Sequence, residues 1–360
     1  MEVSASISEL AKKYKQFFSD TTKGQIVTTI CPYTYELDYA SFDPALANRP
    51  FSSWDYDKDL DAFADFQIKR HDVFMEHVKG LDNDYVPAIH VGAGYGVNSA
   101  FFSGQEVIMG DDTSWTLPFI KDWADMAKLE MNENNPWYQK LLAVTRRFVE
   151  QSDGRYAVSA FSNAGPGDLS NALRGDEIFY DLYDEPDYIH ELMDKSADAT
   201  IWLEESLHRI IGDVCGGSVT ANVWFPVHAP YLSMDFNDLC ADEIFRTFDR
   251  PRTQRIINHF GGAYIHHHAK GFHIHKSIAE IENLSMLEIS LDPNCERPID
   301  HMDELMEMHG DLPIMIRCHA NDVYENIEAL KKGRVAIMLN IDNLEQGREV
   351  MKFIRKHSKI

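Results

Sequence analysis

Short apolar runs alternating with longer amphipathic stretches dominate the chain from residue 156 onward. The runs at 156–161, 218–225, 263–266, 285–290, 312–317 and 334–339 are rich in Val, Ile and Ala. Between them lie segments with apolar residues at helical spacing, one helix-rich stretch running to residue 211 and another spanning 242–259. Strands that are apolar at nearly every position, rather than every second one, fit burial on both faces of a parallel sheet. The alternation predicts an α/β fold, a single (β/α)8 TIM-like barrel, with a doubly wound open sheet as the alternative. No Pro/Gly/Ser-rich linker divides the units, so one barrel domain is expected over 81–360. Residues 1–80 read as an irregular, aromatic-rich cap carrying a helix at 60–78.

A short strand at 85–91 runs into Gly92-Ala93-Gly94-Tyr95-Gly96, where three glycines in five residues imply close backbone approach. The run resembles a phosphate loop only superficially, since neither a Walker lysine nor the acidic residue of a dinucleotide fold accompanies it.

Composition narrows the class of function. The chain has 360 residues with 58 acidic and 34 basic side chains, a net charge of −24. Such a field repels phosphate backbones and anionic lipid, which argues against nucleic-acid and membrane partners and for a small-molecule substrate. The five cysteines, Cys31, Cys215, Cys240, Cys295 and Cys318, have no CxxC spacing. With no basic segment leading into an apolar run at the N-terminus and no long apolar stretch, a cytoplasmic location with reduced thiols is expected.

In a barrel the chemistry gathers where strands end. Read in order, the strand ends offer His90 before the glycine run, Asp111-Asp112-Thr113-Ser114-Trp115, Ser162-Asn163 through Asp168, and Trp224 through His228 leading to Tyr231 and Asp235. Asp111 to Thr113 and Asp168 fit helix caps or turns equally well. The densest cluster is Tyr264-Ile265-His266-His267-His268, followed by His273 and His275 at the start of the next helix. Strand alternation turns His266 and His268 to one face and His267 to the other. On the next strand Glu288 interrupts an apolar run and Asp292 follows it; the strand after that ends Arg317-Cys318-His319. A buried carboxylate needs a partner. His266, His268, Glu288 and Cys318 make a nitrogen, oxygen and sulfur set suited to zinc. The alternatives are histidines that merely satisfy the core, and a Glu288–Arg317 ion pair that holds the barrel.

Gly165-Pro166-Gly167-Asp168-Leu169, Leu173-Arg174-Gly175, Asp184-Glu185-Pro186, Trp224 to Asp235, Phe245 to Pro251 and the strand ending in His266 together resemble the uroporphyrinogen decarboxylase superfamily from about Pro87 to the C-terminus. The resemblance implies a single (β/α)8 barrel with its site at the C-terminal strand ends. It lies closer to the zinc-dependent methylcobalamin:thiol methyltransferases than to true decarboxylases, whose Arg-Gln-Ala-Gly-Arg-Tyr segment is missing. Those methyltransferases carry His-x-Cys on one strand, a Glu about twenty residues on, and a later Cys. His266 and Glu288 match. His268 stands in place of the first Cys, Asn340 and Asp342 lie where the second would fall, and Cys318 is one strand early. Fewer thiolates make a harder site.

The expectation is therefore a methyltransferase whose zinc, on His266, His268, Glu288 and Cys318, activates a thiol-type acceptor. The donor would be a corrinoid, for instance one carried by a partner protein, or a small methylated molecule. Tyr33, His90, Trp115, Asn163, Trp224 and His228 would shape the pocket. The alternative is a metal-independent carboxy-lyase acting on a small carboxylated or tetrapyrrole-like substrate, with His266 or His268 as general acid, Arg317 on a carboxylate and Asp112 or Asp235 orienting the substrate. A third reading is a ligand-binding barrel without catalysis.

Overall fold

The computed structural model describes residues 3–92, 94–159 and 161–360, so Ala93 of the glycine run, Ala160 of the run at 156–161 and the first two residues lie outside it. The strands are β1 (Gln25–Thr29), β2 (Ala88–His90), β3 (Ile108–Met109), β4 (Ser114–Trp115), β5 (Ala157–Ser159), β6 (Ser162–Ala164), β7 (Ser218–Thr220), β8 (Val223–Phe225), β9 (Tyr231–Ser233), β10 (Tyr264–His268), β11 (Met286–Ser290), β12 (Ile314–His319) and β13 (Arg334–Asn340). Seven of them form one parallel sheet in the order β1-β13-β12-β11-β10-β9-β6, and β2 pairs in parallel with β5.

Because β5 and β6 are consecutive pieces of one chain segment, the parallel strands follow one another in chain order around the sheet and β1 returns to β13. This matches a TIM-like α/β arrangement, with one difference from the expected closed barrel. Among the described residues no ladder joins β1 to β2. Asp84 spans the gap instead: its backbone N–H donates to the Thr28 carbonyl at 2.6 Å, and its carboxylate accepts the Thr28 N–H at 2.8 Å. Lys13 and Arg355 neutralise that buried carboxylate at 2.7 and 2.9 Å, which offsets the cost of burying it.

Two features of the N-terminal half differ from the sequence reading. Residues 1–80 contain the first strand of the sheet, so the sheet does not start at residue 81. Gln25-Ile26-Val27-Thr28-Thr29 is buried at all five positions, but three of its five side chains are polar, which hides a strand within a polar segment. Ahead of it, the helix Ala5–Ser19, capped by Ser4, buries Ile7, Ala11, Tyr14 and Phe17 at helical spacing. The expected helix at 60–78 is found at Leu60–His77.

The run at 218–225 is a hairpin rather than one strand: β7 and β8 are antiparallel, and Ala221 and Asn222 turn with φ of 49° and 59°. Two successive left-handed residues give the tight turn whose twist suits a two-residue hairpin. This hairpin and the helix Ala5–Ser19 stopper one end of the sheet. Tyr14, Phe17, Trp224 and Phe225 pack there against Val27, Ala88, Ala157, Tyr264, Met286, Met315 and Ala336, near the starts of their strands. The helices cover the outer face in a second, larger apolar cluster. That leaves the opposite end, where the histidines lie, for water and ligand. No described helix is long and apolar enough to cross a membrane.

Candidate functional site

Strand parity decides which side chains meet at the open end. On β10 Tyr264, His266 and His268 face the interior, while His267 is fully buried on the other side with Nε2 3.2 Å from the Gly271 carbonyl. A side chain on Gly271 would collide with the His267 ring, so glycine is needed there.

The two inward histidines aim Nε2 at each other, 3.2 Å apart, and Asp235 Oδ1 lies 3.2 Å from His268 Nε2 and 4.0 Å from His266 Nε2. Each ring is held from behind. Glu288 Oε2 accepts from His266 Nδ1 at 2.6 Å and from the Tyr264 hydroxyl at 2.6 Å; Asp292 accepts from His268 Nδ1 and, at 3.1 Å, from the Lys270 N–H. With both Nδ1 atoms donating to carboxylates, both Nε2 atoms present lone pairs to the same point. Two nitrogens each ~2 Å from one tetrahedral ion stand about 3 Å apart, so the spacing suits a shared cation, and carboxylate-backed histidines are the usual support for one. Asp235, His266 and His268 are the one described group of His, Cys, Asp and Glu side chains that converges in this way.

The electrostatics agree with this geometry. Hydrogen bonding to Asp235, with Asp292 adding to it against the effect of burial, pushes His268 up to about 10. Burial alone would depress His266, but the charge and hydrogen bond of Glu288 outweigh it and raise its pKa. Burial likewise opposes ionisation of Glu288 and Asp235, yet the facing histidines hold both below the usual carboxylate range. The pocket favours a positive charge between these groups, supplied by a proton or by a cation.

The loop that delivers Asp235 is built by the Gly165-Pro166-Gly167-Asp168 run. Asp168, in the first turn of the helix Pro166–Arg174, accepts the backbone N–H groups of Asp235 at 3.2 Å and Phe236 at 2.6 Å. A Cβ on Gly165 would lie 2.4 Å from the Ser233 carbonyl oxygen, and one on Gly167 2.5 Å from Asp249 Oδ2. Asp168 is thus an anchor of the site loop, and burial next to Asp235 raises it to about 7.

Tyr231 stacks on His266 with ring centroids 5.7 Å apart. Tyr95, from the glycine run, hydrogen-bonds to Tyr231 and has Asp235, Glu288 and Asp168 as its nearest acidic neighbours; burial pushes its hydroxyl up to about 12. The glycines of that run serve packing, since a Cβ on Gly96 would strike the Trp115 backbone at 2.5 Å.

The remaining expected residues fall in several places. Tyr33 is 69% exposed at the mouth, with Cys31 and Arg317 as electrostatic neighbours. Trp115 and Asp112 are exposed on the β3–β4 hairpin, above the Tyr95 loop and apart from the histidines. His90 points to Asn222 Oδ1 at 3.0 Å, and burial lowers its pKa. Trp224 lies at the stoppered end, its indole N–H donating to the Val214 carbonyl. On the outer face of the sheet Asn163 donates to Glu204 of the helix Pro186–Ile211 at 2.9 Å, and His228 Nε2 lies 2.9 Å from the other oxygen of that carboxylate. Cys318 also faces outward, buried among helix residues with its thiol pushed above the usual range by burial, because its neighbour Arg317 takes the inward position. Cys318 and Glu288 are therefore outside the converging donor set, Glu288 because it is bonded to His266 and Tyr264. No ion pair joins Glu288 to Arg317 among the described residues. Asp235, Tyr95 and Asp292 are the site residues whose roles the sequence left unassigned or assigned elsewhere.

No family model and no curated protein matches the chain. Among solved structures, a methyltransferase from Methanosarcina mazei is similar, with a TM-score of 0.63 over 96% of this chain and 98% of that chain at 13% sequence identity. At that identity the likeness extends to the fold alone: the two chains share an α/β architecture along nearly their whole length.

Proposed function

We propose that this protein is a metal-dependent methyltransferase, a distant member of the uroporphyrinogen decarboxylase superfamily, whose divalent cation is held by His266, His268 and Asp235. The observation that carries the reading is the convergence of both Nε2 atoms and Asp235 Oδ1 on one point, with both Nδ1 atoms tied back to carboxylates. Two imidazoles and one carboxylate leave coordination positions open, as a catalytic rather than structural site requires. When bound, the cation would lower the pKa of an acceptor thiol or hydroxyl placed there. Zinc is the metal we assign.

The residues have separable tasks. Glu288 and Asp292 fix the ring orientations, Tyr231 supports the His266 ring face, and Tyr95 shields the site from above. A thiol that gives up its proton at this site would attack a methyl group on a corrinoid or a small methylated donor; the S–CH3 bond forms as the donor bond breaks and its electron pair leaves with the donor. The likeness in fold to a methyltransferase supports methyl transfer over the carboxy-lyase alternative.

Metal analysis of the purified protein, followed by a methylcobalamin-to-thiol assay, tests this. We expect about one equivalent of tightly held metal, its loss in His266→Ala and His268→Ala, and methyl transfer only in the metal-loaded wild type. A wild type that binds no zinc at micromolar concentration would sink the reading, as would His268→Ala holding zinc as tightly as the parent.

A further inference from the structure

Arg317 is inward-facing and half-buried, and it makes no hydrogen bond or ion pair with any other described residue. That is unusual in a chain with 58 acidic side chains, most of whose described arginines are paired. Glu288, on which the Arg317 charge acts, is already bonded to His266 and Tyr264. Leaving a guanidinium unpaired in a partly desolvated position is costly unless something that is not part of the chain completes it.

Its surroundings have the same character. β12 lies between β11 and β13, and on the interior face of both neighbours the last strand residue carries a buried polar atom without a partner: Ser290 Oγ on β11 and Asn340 Oδ1 on β13. Parity puts them on Arg317's face: Ser290 is two residues beyond Glu288, and Asn340 two beyond Met338, the ladder partner of Arg317. Buried polar groups in native proteins are nearly always satisfied, and orphans on both strands that flank an unpaired guanidinium mark a place where a ligand or water completes them. Tyr33, which follows β1, also feels the Arg317 charge.

We propose that Arg317 and Ser290 form a carboxylate-binding subsite beside Asn340, so that the substrate is a small carboxylic acid held at its non-reacting end by Arg317. The guanidinium fork matches a carboxylate in two hydrogen bonds and the Ser290 hydroxyl can donate to a remaining lone pair, while Asn340 Oδ1, an acceptor, meets a donor elsewhere on the ligand or a water. β10 and β12 stand two strand spacings apart, ~10 Å, and side chains from both lean into the space between, so a chain of a few atoms joins the carboxylate end to the His266–His268 end. Arg317 is then the specificity-determining residue: in a field that repels anions, one guanidinium selects the acid over its neutral analogue. The location of the reacting end rests on the function proposed above; the carboxylate end does not.

The test compares acetate, propionate, butyrate and valerate with their neutral amides by ligand-observed NMR, on the full chain as purified and after chelator treatment. Chelation removes any attraction of a bound cation for carboxylates. We expect the best acid to bind at least tenfold tighter than its amide in both forms, Arg317→Gln to abolish that preference, and Arg317→Lys to keep part of it, with metal content unchanged in each variant. Equal binding of acid and amide by the chelated wild type overturns the proposal, and so does a preference that survives in Arg317→Gln. Should Arg317→Gln fail to fold, the wild-type comparison and Arg317→Lys still decide. Absence of metal from a protein that keeps the acid preference would refute the metal reading alone; loss of the preference with metal retained would refute this subsite alone.

Discussion

At the scale of single residues, the site depends on which atoms are already committed. The spacing of Glu288 after His266 suits a metal ligand; in the structure its oxygen is bonded to a histidine and a tyrosine, so it acts by orienting. Glu288→Gln should weaken metal binding by about 10–100-fold without abolishing it, the range expected when the support behind a ligating histidine is removed. Competition against a chromophoric chelator measures this, and an affinity equal to wild type would show that Glu288 does not position His266. The histidine pair is legible in the sequence because HxH on a strand has a fixed geometry. Asp235 as third donor is not, since it arrives on a loop after β9 whose path is set by Gly165, Gly167 and Asp168, far away in sequence. Cys318 is misplaced by the sequence for a related reason: a strand apolar at nearly every position gives no hint of which parity faces inward, and only the placement of Arg317 resolves it.

At the scale of elements, periodicity identifies β10 to β13 to within a residue or two, because a continuous apolar run set between amphipathic helices is too short for a helix and too apolar for a surface loop. It fails where a polar run is buried, as in β1, and where a turn has no glycine, as between β7 and β8. Asn222 holds that turn in the left-handed region while its side chain bonds to the Val86 carbonyl at 3.2 Å and to His90 at 3.0 Å. Asn222→Ala combines backbone strain with two lost hydrogen bonds and should destabilise the fold by about 2–3 kcal/mol. Asn222→Gly relieves the strain but not the bonds, so it should fall between the two in urea denaturation; an alanine variant as stable as the parent would rule out this account of the turn.

At the scale of the whole molecule, a buried histidine array behind β10 contributes to the response to acid. His275 Nδ1 and His309 Nε2 are 3.2 Å apart, and His267 and His273 are the other titratable groups that bear on His275. Burial lowers His309 to about 4; burial first, then these histidines, lowers His275 to about 2. Both are neutral in the folded protein near pH 6.5, whereas the unfolded chain takes up protons below that value. The contribution of these two histidines is therefore complete above about pH 6.5 and falls as the pH drops toward 4, by on the order of 3 kcal/mol for His309 alone, whereas Asp168, raised to about 7, contributes with the opposite sign. His309→Leu should flatten this decline in chemical denaturation across pH 4–7; an unchanged slope would mean the array does not govern it.

The seam at β1 has a consequence for how the protein is made. The one ladder of β1 is with β13, so Thr29 reaches Ile337 across 308 residues, and Ser358 closes over Ile26 from 332 residues away. During synthesis from the N-terminus, β1 leaves the ribosome with no ladder partner and waits, edge exposed, until β13 at 334–340 has been made. The helix Ala5–Ser19 and its partner hairpin, complete once residue 225 has emerged, are what can shelter that strand in the interval, so the stopper at the base of the sheet also serves as the newborn chain's guard against pairing with a stranger.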